Sequence, residues 1–151
     1  MYPYNYVTST QAKKLAEQVE SGSYTSGLMF GVQWDLLLKF IEEKTVTKTN
    51  DANKKSVKEK IEKELNNDST NIGNYNNNLS NITNTNEKFS LINIYDIAGN
   101  VWEWTLENTA DNNYPYAIRG GNYGDSYQAN YHGGNHSPNG KCDIGFRISL
   151  Y

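Results

Sequence analysis

Asp96-Ile97-Ala98-Gly99-Asn100-Val101-Trp102-Glu103-Trp104 is the stretch on which the reading of this chain turns. A tight Ala-Gly-Asn turn leads into a strand. From Val101 to Glu107 the side chains alternate, with Trp102, Trp104 and Leu106 on one face and Val101, Glu103 and Thr105 on the other. The two tryptophans are expected to fill the core and the sheet surface, because each buries a large apolar area. Two carboxylates, Asp96 and Glu103, bracket a turn whose carbonyls cannot all enter a ladder. A hard cation such as Ca²⁺ takes about six to eight oxygens from carboxylates, carbonyls and water. The competing reading is that Glu103 pairs with Arg119 or Arg147 while Asp96 caps the turn. Both readings stay open at the level of sequence.

Downstream, Tyr116-Ala117-Ile118-Arg119 reads as a second strand, stopped by Gly120-Gly121. Ile144, Phe146, Ile148 and Leu150 alternate in a terminal strand around Gly145-Phe146-Arg147. The segment between Gly121 and Asp143 shows no period and carries loop chemistry. Arg119 and Arg147 lie beside glycines on strands. They are expected to pair with carboxylates or carbonyls inside the fold, since guanidinium offers several fixed donors.

Upstream, Thr8 with Gln11 forms a candidate capping box, followed by Ala12, Leu15, Ala16 and Val19 at helical spacing. Ser21-Gly22-Ser23 is the expected stop. A second helix is predicted from about Gly31 to Glu43, with Trp34, Leu37, Leu38 and Ile41 as its apolar stripe. Residues 44–90 are polar and rich in Asn, Thr, Lys and Ser. Within them Ser56 and Glu59 offer a capping box, Val57, Ile61 and Leu65 make a thin apolar line, and Glu59 can pair with Lys63. A short surface helix is predicted there, then a loop over Asn66 to Asn86, read as an insertion rather than a lid.

The chain has 151 residues, one domain's worth. Its formal charge is −3 and its pI near 5.4, with no basic stripe, so no nucleic-acid partner is expected. Mean hydropathy is −0.79 and no apolar run approaches the ~18 residues of a span, so membrane insertion is not expected. The N-terminus lacks a signal-peptide pattern. The single cysteine, Cys142, excludes a disulfide within this sequence and reads as a buried or idle thiol. No Ser/His/Asp or Cys/His signature and no phosphate loop is visible.

Taken together, the Asp96–Trp104 block, Arg119-Gly120-Gly121 and Gly145-Phe146-Arg147 resemble the C-terminal half of the formylglycine-generating enzyme (sulfatase-modifying factor) family. Gln33-Trp34-Asp35 lies where that family has Glu-Trp-Glu. The resemblance implies an α+β, C-type lectin-like fold over residues 1–151: a short twisted antiparallel sheet, two packed helices and long loops, with a polar insertion at about 44–90. It also implies a structural calcium, held by the side chains of Asp96 and Glu103 and the carbonyls of Gly99 and Val101. The family's oxidase uses copper on two cysteine thiolates just after the Gly-Gly motif. The corresponding positions here are about Asp125 and Asn130, whose oxygens do not suit Cu(I). No copper and no oxidase activity are therefore expected. The family's upstream strands are not recognisable in residues 1–30, so the expectation is a shortened fold or a sheet completed by another chain, and with it a homo-oligomer.

The 122–143 segment interleaves aromatics and amides on a loop between two strands. Tyr123, Asp125, Tyr127, Asn130, Tyr131, His132, Asn135, His136 and Asn139 are the candidate ligand-binding residues. Tyr supplies area and Asn supplies adaptable hydrogen bonds, as in antibody paratopes. Gly133-Gly134 between His132 and His136 argues for a loop, and for contact surface rather than a zinc pair. Ser137-Pro138-Asn139 resembles the Glu-Pro-Asn triplet of calcium-dependent lectins, but Ser replaces the acidic ligand and no Trp-Asn-Asp motif accompanies it. The arrangement from Arg119 to Tyr151 resembles the variable proteins of diversity-generating retroelements, and the C-terminal portion resembles prophage tail-associated proteins. These likenesses imply a non-catalytic module of phage or prophage type that binds a cell-surface protein or glycan. It is expected in the virion, or in the bacterial cytoplasm before assembly. The alternatives are a formylglycine-generating-type oxidase and a structural subunit of a phage tail particle.

Overall fold

The computed structural model describes residues 4–19, 22–47, 53–75, 90–125 and 127–151. The first helix, α1 (Ser9–Glu17), opens with the expected capping box. Thr8 Oγ1 accepts from the Gln11 N–H at 3.1 Å, and Gln11 Oε1 accepts from the Thr8 N–H at 2.9 Å. Ala12 and Ala16 are fully buried, while Val19 falls beyond the helix and is exposed. Strand β1 (Ser26–Leu28) follows, then α2 (Gly31–Thr47), one turn longer than predicted. Trp34, Leu38 and Ile41 bury its inner face, and Trp34 Nε1 donates to the Ala129 carbonyl at 2.8 Å.

The helix expected inside the polar stretch is α3 (Lys54–Asn66). It begins before Ser56, so the predicted capping box lies within the helix, and Glu59 is met by Lys55 at 3.9 Å. This helix is no surface appendage. Leu65 is 1% exposed and joins Ile61, Ile72, Trp34, Ile97 and Ala98 in one apolar cluster. A 3-10 turn (Ser69–Asn71) carries the chain on to Tyr75. The remainder of the predicted loop, residues 76–89, lies outside the described residues.

Strands β2 (Ser90–Leu91) and β3 (Ile94–Tyr95) form a small hairpin. The main sheet holds β4 (Trp102–Asn108), β5 (Tyr116–Arg119), β6 (His132–Asn135) and β7 (Ile144–Phe146) in the order β6-β5-β4-β7. It is mixed rather than antiparallel, because β7 runs parallel to β4. A second cluster, including Val7, Ala12, Ala16, Leu28, Trp102, Trp104 and Ile144, packs α1 against this sheet.

Three expectations are corrected here. Three α-helices pack in the fold among the described residues, not two. The terminal strand is two strands, β7 and β8 (Ile148–Leu150), broken at Arg147. Residues 1–30 do supply a strand: β1 pairs antiparallel with β8, Ser26 opposite Leu150 and Leu28 opposite Ile148. The chain therefore closes this pairing itself and needs no second copy for it. The sequence hid β1 because three residues, Ser-Gly-Leu, are too few to show a period.

The Ala98-Gly99-Asn100 turn is built around Asn74, which arrives from the polar stretch. The Asn74 N–H donates to the Ala98 carbonyl at 2.9 Å, and the Asn100 N–H donates to the Asn74 carbonyl at 2.7 Å. Gly99 has φ +75°, and a Cβ there would stand 2.5 Å from the Asn74 carbonyl oxygen. Substitution Gly99→Ala should cost about 1–3 kcal/mol through strained backbone and this clash. Thermal denaturation is expected to show a lowered Tm for Gly99→Ala and a smaller change for Gly124→Ala, where the nearest atom lies at 3.7 Å.

Candidate functional site

Two arginines, Arg119 and Arg147, tie the sheet to its surroundings through carboxylates and carbonyls. Arg119 is fully buried. Its Nε donates to Glu107 Oε1 at 2.9 Å, one Nη to Asp35 Oδ1 at 3.1 Å and the other to the Asn130 carbonyl at 3.1 Å. One guanidinium thus ties α2, β4 and the long loop to the end of β5. Arg147 does the same on the other side. Its Nη2 and Nε donate to Glu103 Oε1 and Oε2 at 2.7 and 2.9 Å, a two-pronged contact, and Nη2 also reaches the Tyr95 carbonyl at 3.0 Å. Both arginines play the role expected of them.

Glu103 lies in the strand interior. Desolvation by burial pushes its pKa up most, Arg147 opposes this, and the nearby Asp96 charge pushes it up again. Arg147 is held above its ordinary value. Burial acts against its charge, and the attraction of Glu103 and then Asp96 outweighs that burial. Asp96 adopts φ +51° and accepts from Asn74 Nδ2 and Asn100 Nδ2, both at 3.2 Å. Glu103 is thus arginine-paired and Asp96 braces the turn. Asp96, Glu103 and the carbonyls of Gly99 and Val101 offer oxygen only, the donor type that a hard cation takes, and both carboxylate oxygens of Glu103 are engaged by Arg147.

The candidate ligand residues line more than one concavity. Asp125, Tyr127, Tyr131 and Asn135 converge on a cleft of about 260 Å³ with Trp102 in its wall and Lys141 and Asp143 at its rim. Tyr127 and Tyr131 stack at 4.2 Å with 28° between their planes, and Trp102 lies 5.3 and 5.9 Å from them. Asn130 and His132 line a separate groove of about 390 Å³ with Asp35 and Lys39. Tyr123, His136 and Asn139 border neither. The Tyr123 hydroxyl lies 3.8 Å from Cys142 Sγ, and His136 meets the Tyr114 ring edge-on. Cys142 is exposed, not buried.

Two readings of this segment are revised. Residues 132–135 are strand β6 rather than loop, with His132 and Gly134 outward and Gly133 and Asn135 inward. The two glycines concealed its period. Gly133 is needed because a Cβ would stand 2.9 Å from Ile118 Cγ1 and 3.1 Å from the Trp102 ring. Asn135 is 4% exposed, so it is no open contact residue; it faces the cleft from beneath. The sequence reading missed Lys141 and Asp143, which flank Cys142 in a stretch without a motif. Trp102 was assigned to the core, and at 7% exposure it both belongs there and floors the cleft. Tyr75 also supports this face. Its hydroxyl donates to the Tyr127 carbonyl, and burial pushes its pKa up to about 12.

A short mixed sheet with helices packed against it and a β1–β8 pairing that joins the two ends of the described chain gives a C-type lectin-like α+β domain. Within that class, the chain belongs to the sulfatase-modifying factor enzyme 1-like domain family, whose model matches residues 39–150. Its fold is similar to that of Treponema denticola variable protein 1, with a TM-score of 0.60 and 16% identity over 97% of this chain and 70% of that one. No curated protein matches the chain. The fold and family expected from the motif blocks are thus those found.

The Glu103–Arg147 pair yields a test. Arg147→Met leaves a buried carboxylate without its guanidinium and should cost on the order of 3–5 kcal/mol. Adding Glu103→Leu removes the stranded charge and should restore most of that loss. Chemical denaturation of both single variants and the double variant measures the coupling.

Proposed function

We propose that this domain is a non-catalytic binding module of phage or prophage type. It presents the 122–143 segment to a protein or glycan on a cell surface. The observation that carries the reading is the Trp102–Tyr127–Tyr131 aromatic cluster with amides and carboxylates at its edge, on a loop clamped by Arg119. A rigid scaffold under a Tyr-rich loop is the architecture of a recognition surface. The variable protein that shares the fold supports the same reading. The sequence has one cysteine, so the two-thiolate copper centre of the family's oxidase has no ligand pair in it. The purified domain should bind cell-envelope fractions of Gram-positive bacteria, and Tyr131→Ala should weaken that binding by about 2 kcal/mol as an aromatic anchor would. Pull-down and titration read this out. Turnover of a cysteine-containing sulfatase peptide with added copper would overturn it. The module would act in a virion, with assembly from the bacterial cytoplasm.

A structural Ca²⁺ held by Asp96, Glu103 and the Gly99 and Val101 carbonyls belongs to the same proposal. Its support is the oxygen-only donor set and the mutual repulsion of two neighbouring buried carboxylates. Millimolar Ca²⁺ should raise Tm and a chelator should reverse the shift, as binding to the folded state alone requires. Asp96→Asn should blunt the response. An unchanged Tm would mean that Arg147 alone balances Glu103.

A further inference from the structure

The cleft floored by Trp102 contains a buried donor that the fold does not use. Lys141 Nζ donates to Asn135 Oδ1 at 3.3 Å, which fixes the orientation of the amide, because the reverse would set two donors face to face. Asn135 Nδ2 is then left buried with no hydrogen-bond partner among the described residues. An unsatisfied buried donor costs about 1–3 kcal/mol, a cost that an acceptor arriving in the cleft would relieve.

The rest of the cleft restricts what that acceptor belongs to. Lys141 opposes a cation, which would also leave the Asn135 donor unused. Asp125 and Asp143 at the rim oppose an anion. A purely apolar group could stack on the tyrosines but would leave Asn135 Nδ2 without an acceptor. A neutral ring with an apolar C–H face and hydroxyls that both donate and accept meets every one of these groups. The cleft, at about 260 Å³, is smaller than the roughly 300–1,000 Å³ of drug-sized sites, and suits one ring.

We propose that this cleft is a subsite for a single pyranose ring of a neutral glycan. Asn135 Nδ2 and Lys141 Nζ donate to its oxygens, Asp125 and Asp143 accept from its hydroxyls, and its C–H face lies on the tyrosine pair. This rests on the binding-module reading and narrows the partner from protein or glycan to glycan.

The test uses the whole chain with methyl glycosides of glucose, galactose, mannose and N-acetylglucosamine, in saturation-transfer NMR. At least one glycoside should receive saturation, strongest at ring C–H protons. Asn135→Leu, close to isosteric, should weaken its binding about tenfold, the loss of one buried hydrogen bond. Tyr131→Ala, at a residue 38% exposed and so of little consequence to folding, should weaken it as well. Absence of transfer from all four glycosides overturns the subsite, as does transfer that neither substitution changes. Envelope fractions separate the two readings. Envelope binding abolished by protease treatment of the envelope, with no glycoside competing, overturns the glycan subsite and leaves the binding module standing. Failure to bind either envelopes or glycosides overturns both.

Discussion

The Glu103–Arg147 ion pair is the constraint on which the arrangement depends. Two strands distant in sequence, β4 and β7, run side by side and parallel, which no short turn can enforce. The guanidinium that follows β7 grips both oxygens of a carboxylate within β4 and reaches the carbonyls of Tyr95 and Asp96. It thereby fixes the end of the chain against the turn that begins the sheet. Burial makes the pair obligatory: either charge left alone would carry its full desolvation penalty. With Arg147 in place, β8 can turn away to β1, and the N-terminal segment closes the fold.

Arg119 repeats this logic on the binding side. Its guanidinium links Asp35 of α2, Glu107 of β4 and the Asn130 backbone, so the loop after Gly120-Gly121 is anchored midway along its length. The Leu65 carbonyl accepts from the Asn130 N–H, and Tyr75 holds the Tyr127 carbonyl. The polar stretch before the sheet is therefore part of the support of the 122–143 segment. In a loop so held, Tyr127 and Tyr131 stack on each other beside Trp102 without a large ordering cost on contact, as preorganised surfaces do. The scaffold is that of an enzyme family, and at the positions that the resemblance aligns with its thiolates this sequence has Asp125 and Asn130.

Some of this was legible in the residues alone. The alternation from Val101 to Leu106, the Thr8–Gln11 capping box, the Trp34–Ile41 stripe and the pairing of both arginines follow from period-2 and 3.6-residue patterning and from the cost of burying charge. The single cysteine was legible as well, and the expectation of no copper rests on it. What stayed hidden were elements too short or too bare to carry a period. β1 is Ser-Gly-Leu, β6 is His-Gly-Gly-Asn, and Asn74 is one asparagine among many.

Only the tertiary structure decided which loop residues meet. Nine candidates in one segment divide between a cleft, a groove and neither, because β6 turns Asn135 inward while His132 faces out. Lys141 and Asp143 join the cleft from beyond that strand with no local signal. Sequence determines local patterning, since a side chain's direction follows from its place in a helix or strand. The company a loop residue keeps depends on long-range register, which here is set by two guanidinium groups, one fully buried and one partly so, reaching across the fold.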